Sequence, residues 1–213
     1  MINTIGNSHT FYFSNNDNIV ASECDKTHPY FRSYSIGAAI SYNFYEHHLP
    51  RVKRLIKDTI KPSNDDYIML CGFNEIDSRL HLPKKIEQTG LSMETVVNEC
   101  AERYFRAIKE LKDENYNLIV FGSHPSTTGG HNDDPSNPVW GDCLNRNKIT
   151  KMYNQKLKEL CESYNVHYLD IFDYLIDQNT GLTNMIFFRD YCHLNSNSHP
   201  YMVEQFKLKK IIL

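Results

Sequence analysis

The chain has 213 residues, with 26 acidic and 23 basic side chains and a formal net charge of -3, enough for one core and a single domain over residues 1–213. That balance excludes the basic face that nucleic-acid binding requires, and a mean hydropathy of -0.54 without a long apolar run excludes a membrane-spanning helix. Six scattered cysteines with no Cys-x-x-Cys pair, and no basic stretch followed by an apolar one at the N-terminus, predict reduced thiols, no signal peptide and a cytoplasmic location.

Taken in order, Ile2 to Ile5 reads as a strand that runs into a tight turn carrying Ser8. The polar run Ser14 to Asn18 is loop chemistry. Phe31 to Ile36 alternates large apolar with polar residues, a second strand, and Gly37 ends it. A glycine there lets the backbone approach a ligand with no Cβ in the way, although a plain strand-to-helix turn accounts for it equally well. Ala38 to Ile60 has helical periodicity, with Pro50 expected to bend or split it. Asp66 to Cys71 is nearly all apolar, the mark of a parallel strand buried on both faces, and it delivers Gly72-Phe73-Asn74-Glu75 to its C-terminal end. Arg79 and His81 follow as candidate contacts for a polar ligand, with pairing of Arg79 to Glu75 or Asp77 as the alternative.

Ser92 is a good N-cap for an amphipathic helix running to Leu111, in which Cys100 is a small buried hydrophobe. Asn117 to Gly122 is the next buried strand. Ser123 to Asn145 is a long irregular segment, and His124, His131 and Trp140 in it are candidate ligand contacts. Asn147 to Tyr164 is again amphipathic, Val166 to Ile171 a fifth strand, and Asp173 to Asp177 a short helix. Ser196 to Leu208 reads as the closing helix. Strands alternating with amphipathic helices predict an α/β chain, a doubly wound three-layer α/β/α sandwich with about five parallel strands. In such sheets ligands bind outside the C-terminal strand ends, which places Ser8 and Asn74 on one edge. Ten histidines raise the question of a metal. His47 and His48 point about 100° apart on a helix, and no His-x3-His or Cys/His ligand spacing occurs. No metal and no cofactor are therefore expected.

A serine hydroxyl needs an imidazole within hydrogen-bond reach, and that imidazole needs an orienting group. Asp190 and His193, three residues apart, can supply both from one turn. These blocks, in this order, resemble the SGNH (GDSL-type) hydrolase family, from Ile2 to about Asn195. The resemblance implies a flavodoxin-like fold with Ser8 as nucleophile, His193 as general base and Asp190 as its orienting acid. It also implies an oxyanion hole from the Ser8 and Gly37 backbone N–H groups and the Asn74 side-chain amide. Asn7 stands where the family usually has Asp, and Glu75 where its Gly-x-Asn-Asp block ends. Phe73 to Arg79 further resembles the Phe-Gly-Glu-Ile-Asp-Cys-Arg segment of a subset found near cell-surface polysaccharide synthesis genes. The implied activity is a serine esterase acting on a small acyl ester, most simply acetyl, on a carbohydrate. Transfer of the acyl group to a sugar hydroxyl and a non-catalytic carbohydrate-binding module are the alternatives. Arg79, His81, His124 and Trp140 are the candidate substrate contacts.

Overall fold

The structure is a computed structural model that describes residues 1–14, 24–26, 28–128 and 138–211. Among the described residues six strands form one sheet: β1 (Ile2–Gly6), β2 (Cys24–Asp25), β3 (Phe31–Ser35), β4 (Tyr67–Cys71), β5 (Asn117–Phe121) and β6 (His167–Leu169), in the order β2-β3-β1-β4-β5-β6. All neighbours are parallel except β2, which runs antiparallel to β3. The sixth strand is a correction to the five expected, since β2 has two residues and no apolar run to announce it. The expected three-layer α/β/α sandwich is otherwise the fold observed.

The inner strands β4 and β5 are apolar on both faces because each face of the sheet carries its own core. Ile5, Ile68, Leu70, Leu118 and Val120 face one core with α1 (Phe44–His47), α2 (Leu49–Arg54), α4 (Met93–Asp113) and α5 (Cys143–Ser163). Met69, Cys71, Ile119, Phe121 and Leu169 face the other, with Phe187, Phe188 and the closing helix α6 (His199–Leu208). The period-2 alternation of strand side chains sends adjacent residues to opposite layers. Cap chemistry sets the long helices. The Ser92 hydroxyl accepts from Thr95 N at 3.1 Å to start α4, and the Asp142 carboxylate accepts from Asn145 N at 2.8 Å to start α5, each satisfying an amide with no intrahelical partner.

Two stretches differ from expectation. The helix predicted from Ala38 begins only at Phe44, because the Ser41 and Tyr42 amides are taken by the Asp77 carboxylate at 2.7 and 3.1 Å. It divides at His48, with Pro50 in the first turn of α2, where its missing N–H costs nothing. A π-helical turn (Asp77–His81) leads into α3 (Leu82–Thr89), unannounced in sequence because Pro83 reads as a breaker yet sits in the helix's first turn. α3 ends at Gly90, whose φ of 67° is the left-handed conformation glycine adopts most readily.

Candidate active site

The C-terminal ends of β1 and β4 lie side by side, Gly6 paired with Cys71, and the chain leaves both by tight turns that interlock. After β1, Asn7 caps a short 3-10 helix (Ser8–Tyr12), its Oδ1 accepting from His9 N at 3.1 Å. Its Nδ2 donates to the Gly72 carbonyl at 2.7 Å. Gly72 has φ of +77°, and a Cβ there would lie 2.5 Å from Asn7 Oδ1 and 2.9 Å from His9 Cβ, so nothing larger fits beneath the serine turn. Asn7 thus both accepts and donates, and a carboxylate could not make the second bond.

That turn presents Ser8 to the segment after β6. Ser8 Oγ lies 2.8 Å from His193 Nε2, and His193 Nδ1 lies 2.8 Å from Asp190 Oδ2 and 3.0 Å from Oδ1. The Cys192 and His193 amides donate to Asp190 Oδ1 at 2.9 and 2.8 Å. Partial burial alone would push the Asp190 carboxyl up. The bond to the His193 ring and the two amides outweigh it and hold the group below the usual carboxylate range. An ionised Asp190 fixes the proton of His193 on Nδ1, leaving a lone pair on Nε2 aimed at the serine. Ser8, His193 and Asp190 are therefore brought together as one hydrogen-bonded chain beside an open cleft lined by Ser8 and His193. Phe13, Phe121 and Leu194 line its apolar part, and Ser123, His124 and His199 its polar part.

The other predicted site residues lie elsewhere, except His124. Gly37 is exposed with φ of +77°, and its N–H donates to Ser35 Oγ at 3.3 Å. Asn74 is buried on the far side of Gly72, where its Nδ2 donates to Ser78 Oγ at 2.7 Å and its Oδ1 accepts from Ser41 Oγ at 3.2 Å. Neither lines the cleft at Ser8. Arg79 is buried rather than offered to a ligand. Its Nε and Nη2 hold both oxygens of Glu75, and Nη1 holds the Pro138 carbonyl. His81 is exposed outside the cleft, and Trp140 donates its indole N–H to Glu87 on α3 at 2.6 Å, with Lys84 over its ring. His131 and Asn132 to Asn137 fall outside the described residues.

Two residues at the site escaped the sequence reading, His9 and Cys192. The His9 ring lies 4.7 Å from both the His193 and the His124 ring, centroid to centroid, and Cys192 Sγ lies 3.3 Å from His193 Nδ1. The signal available was adjacency: each directly neighbours a residue of the Ser8–His193 pair. Buried His9 is pushed down from the ordinary histidine value by desolvation, against the pull of Glu75. Burial likewise depresses His124, to about 3.

No protein-family model and no curated protein matches the sequence. Solved structures do share the fold. A Bacteroides fragilis protein assigned as an acylhydrolase is 17% identical with a TM-score of 0.59, covering 98% of this chain and 85% of its own. A GDSL-like lipase from Bacteroides thetaiotaomicron is 12% identical with a TM-score of 0.59, covering 99% and 88%. A catalytic mutant of an acetylxylan esterase from Geobacillus stearothermophilus, a histidine replaced by alanine, is 16% identical with a TM-score of 0.54, covering 100% and 94%.

Proposed function

We propose that the protein is an SGNH-type serine esterase that hydrolyses a small acyl ester, acetyl in the simplest case, on a carbohydrate. The observation that carries this reading is the unbroken chain from Ser8 Oγ through His193 to Asp190 at a cleft. In it His193 Nε2 takes the Ser8 proton as Ser8 attacks the ester carbonyl, then returns it to the leaving alcohol. Asp190 stays ionised and orients the ring throughout. The resulting acyl-serine is released by water activated on the same nitrogen. The Ser8 backbone N–H holds the oxyanion in this reading, and the Gly37 N–H and the Asn74 amide join it only if the bound ester draws them from Ser35 and Ser78.

The apolar wall of Phe13, Phe121 and Leu194 beside the serine suits the alkyl end of an acyl group. The sugar is supported by the esterases of acetylated xylan and xylooligosaccharides among proteins of the same fold. The same fold also includes a GDSL-like lipase, so fold does not choose between acyl partners and the site must. The test is hydrolysis of p-nitrophenyl acetate by the wild-type protein and by Ser8→Ala. Wild-type turnover that disappears in Ser8→Ala is the expected result, and an unchanged rate in the variant ends the serine-esterase reading. Preference for acyl chains of eight or more carbons over an O-acetylated sugar would return the protein to the lipase class.

A further inference from the structure

Asp190 fixes the edge of the His193 ring and leaves its tilt open. His193 Nδ1 lies within reach of both Asp190 oxygens, at 3.0 and 2.8 Å, so the carboxylate selects no single plane, and the terminal torsion of a histidine is broad on its own. The Asp190 side chain is also 42% exposed, on a surface turn. Cys192 Sγ touches the ring, 3.3 Å from Nδ1, but it belongs to that same turn and supplies no independent reference. We propose that His9 is a positioning residue for His193, its ring bracing one face of the general base from the buried side.

The two rings meet in a tilted, offset stack. Their centroids are 4.7 Å apart and their planes are inclined by 35°, within the range such ring pairs favour. His9 itself is confined on every side that the structure describes. Its amide donates to Asn7 Oδ1 at 3.1 Å, and Gly72 packs so close that a Cβ there would lie 2.9 Å from His9 Cβ. Of its ring nitrogens, Nδ1 lies 3.2 Å from His124 Nε2, and Nε2 lies 3.7 Å from Glu75 Oε2. Glu75 is held in turn by Arg79, through Nε at 2.6 Å and Nη2 at 3.3 Å. All four of these side chains are buried.

The place of His9 in the chain gives the brace its use. His9 directly follows Ser8 in one 3-10 helix, so the nucleophile and the surface on which its base rests belong to a single turn. Ser8 Oγ and His193 Nε2, 2.8 Å apart, thereby take their positions from a common frame. Asp190 comes from the opposite end of the sequence, and a small tilt of the ring about its bond to Asp190 would carry Nε2 away from the serine. Catalytic groups have to be held within about 0.5 Å of their productive geometry, and a misplacement of about 1 Å can cost roughly a hundredfold in rate. A ring laid against the face of His193 opposes that tilt, which the carboxylate at the edge does not.

The effect on rate rests on the esterase reading, whereas the bracing contact does not, so one of the two measurements uses no substrate. The full-length wild-type protein is compared with His9→Phe, which keeps a ring against His193 and gives up both nitrogens, and with His9→Gln, which keeps a polar group for Glu75 and gives up the ring. With p-nitrophenyl acetate, His9→Gln should lower kcat about 10–100-fold at nearly unchanged KM, and His9→Phe should stay within about threefold of wild type. By proton NMR, the low-field resonance of the His193 Nδ1 proton bonded to Asp190 should be sharp in wild type, in Ser8→Ala and in His9→Phe, and broadened in His9→Gln. A His9 needed only for its polar contacts predicts the reverse order of the two variants. That reverse order, equal losses in both, or no loss in either overturns the brace. If the wild-type protein hydrolyses no ester, the esterase reading fails and the resonance alone decides, a sharp signal in His9→Gln being the result that overturns the brace.

Discussion

Asn7→Asp introduces the residue that the SGNH sequences this chain resembles usually carry before the serine, and the structure expects it to do harm. Asn7 is 4% exposed, and its Nδ2 donates at 2.7 Å to the Gly72 carbonyl, whose other donor, Glu75 N, is distant at 3.4 Å. The substitution removes that donor and sets an oxygen against an oxygen. Leaving a buried carbonyl unsatisfied costs about 1–3 kcal/mol. Desolvating the new carboxylate adds to this, while a stronger charged bond from His9 N returns part of it. A net loss of about 2–3 kcal/mol, at roughly 2–4 °C per kcal/mol for a chain of this size, lowers the melting temperature by about 4–12 °C. The loss should depend on pH with a definite sign. A protonated carboxyl can donate to Gly72 as the amide does, so the folded state raises the pKa of the introduced group. Its contribution to stability is full below the ordinary Asp value of about 3.9 and is lost as pH rises. Thermal melts at pH 5 and pH 8 should show the larger deficit at pH 8. A variant within 1 °C of wild type at pH 8, or a deficit that grows on acidification, would refute the account of this turn.

Arg79→Leu should cost about 3–5 kcal/mol in urea denaturation, because it strands the buried Glu75 carboxylate. Burial pushes that group up, but His9 and Arg79 hold it below the usual range; a loss under 1 kcal/mol would contradict the pairing. Asp77 is shifted the other way, burial raising it to about 6 despite three donors to Oδ2 from Ser41 and Tyr42. The stability it contributes is full below its ordinary value and lost as pH rises through about 6, about 3 kcal/mol in all. Asp77→Asn should therefore flatten the stability profile between pH 4 and 7, and parallel profiles for the two proteins would reject the assignment.

The layers of the fold were legible because strands buried on both faces leave apolar runs, as in Tyr67–Cys71 and Asn117–Phe121, and helices leave stripes, as in Met93–Asp113. What escaped was held by contacts distant in sequence. β2 exists only through its pairing with β3, and the late start of α1 depends on a carboxylate more than thirty residues away. The site divided along the same line. Ser8, Asp190 and His193 were readable because their types and order carry the chemistry. Trp140 was placed by residue type alone, and its partner Glu87 decided otherwise, whereas pairing of Arg79 with Glu75, the alternative that their spacing offered, is the arrangement observed.

Those partners give Arg79 a different task from ligand binding. Its guanidinium holds Pro138 O while its own carbonyl accepts from Trp140 N at 2.9 Å, so the chain beyond residue 137 is fastened to the turn after β4. Arg146 fastens the two sides of the same loop, bonding to the Gly141 and Thr127 carbonyls, and the Thr127 hydroxyl donates to the Tyr191 carbonyl. A continuous line of bonds thus joins β4, the long loop and the segment that carries Asp190 and His193. Buried arginines suit this because one planar fork can satisfy several carbonyls at once, which a lysine cannot do. The loop, read from sequence as a source of ligand contacts, in these described parts ties the segment of Asp190 and His193 to the turn after β4.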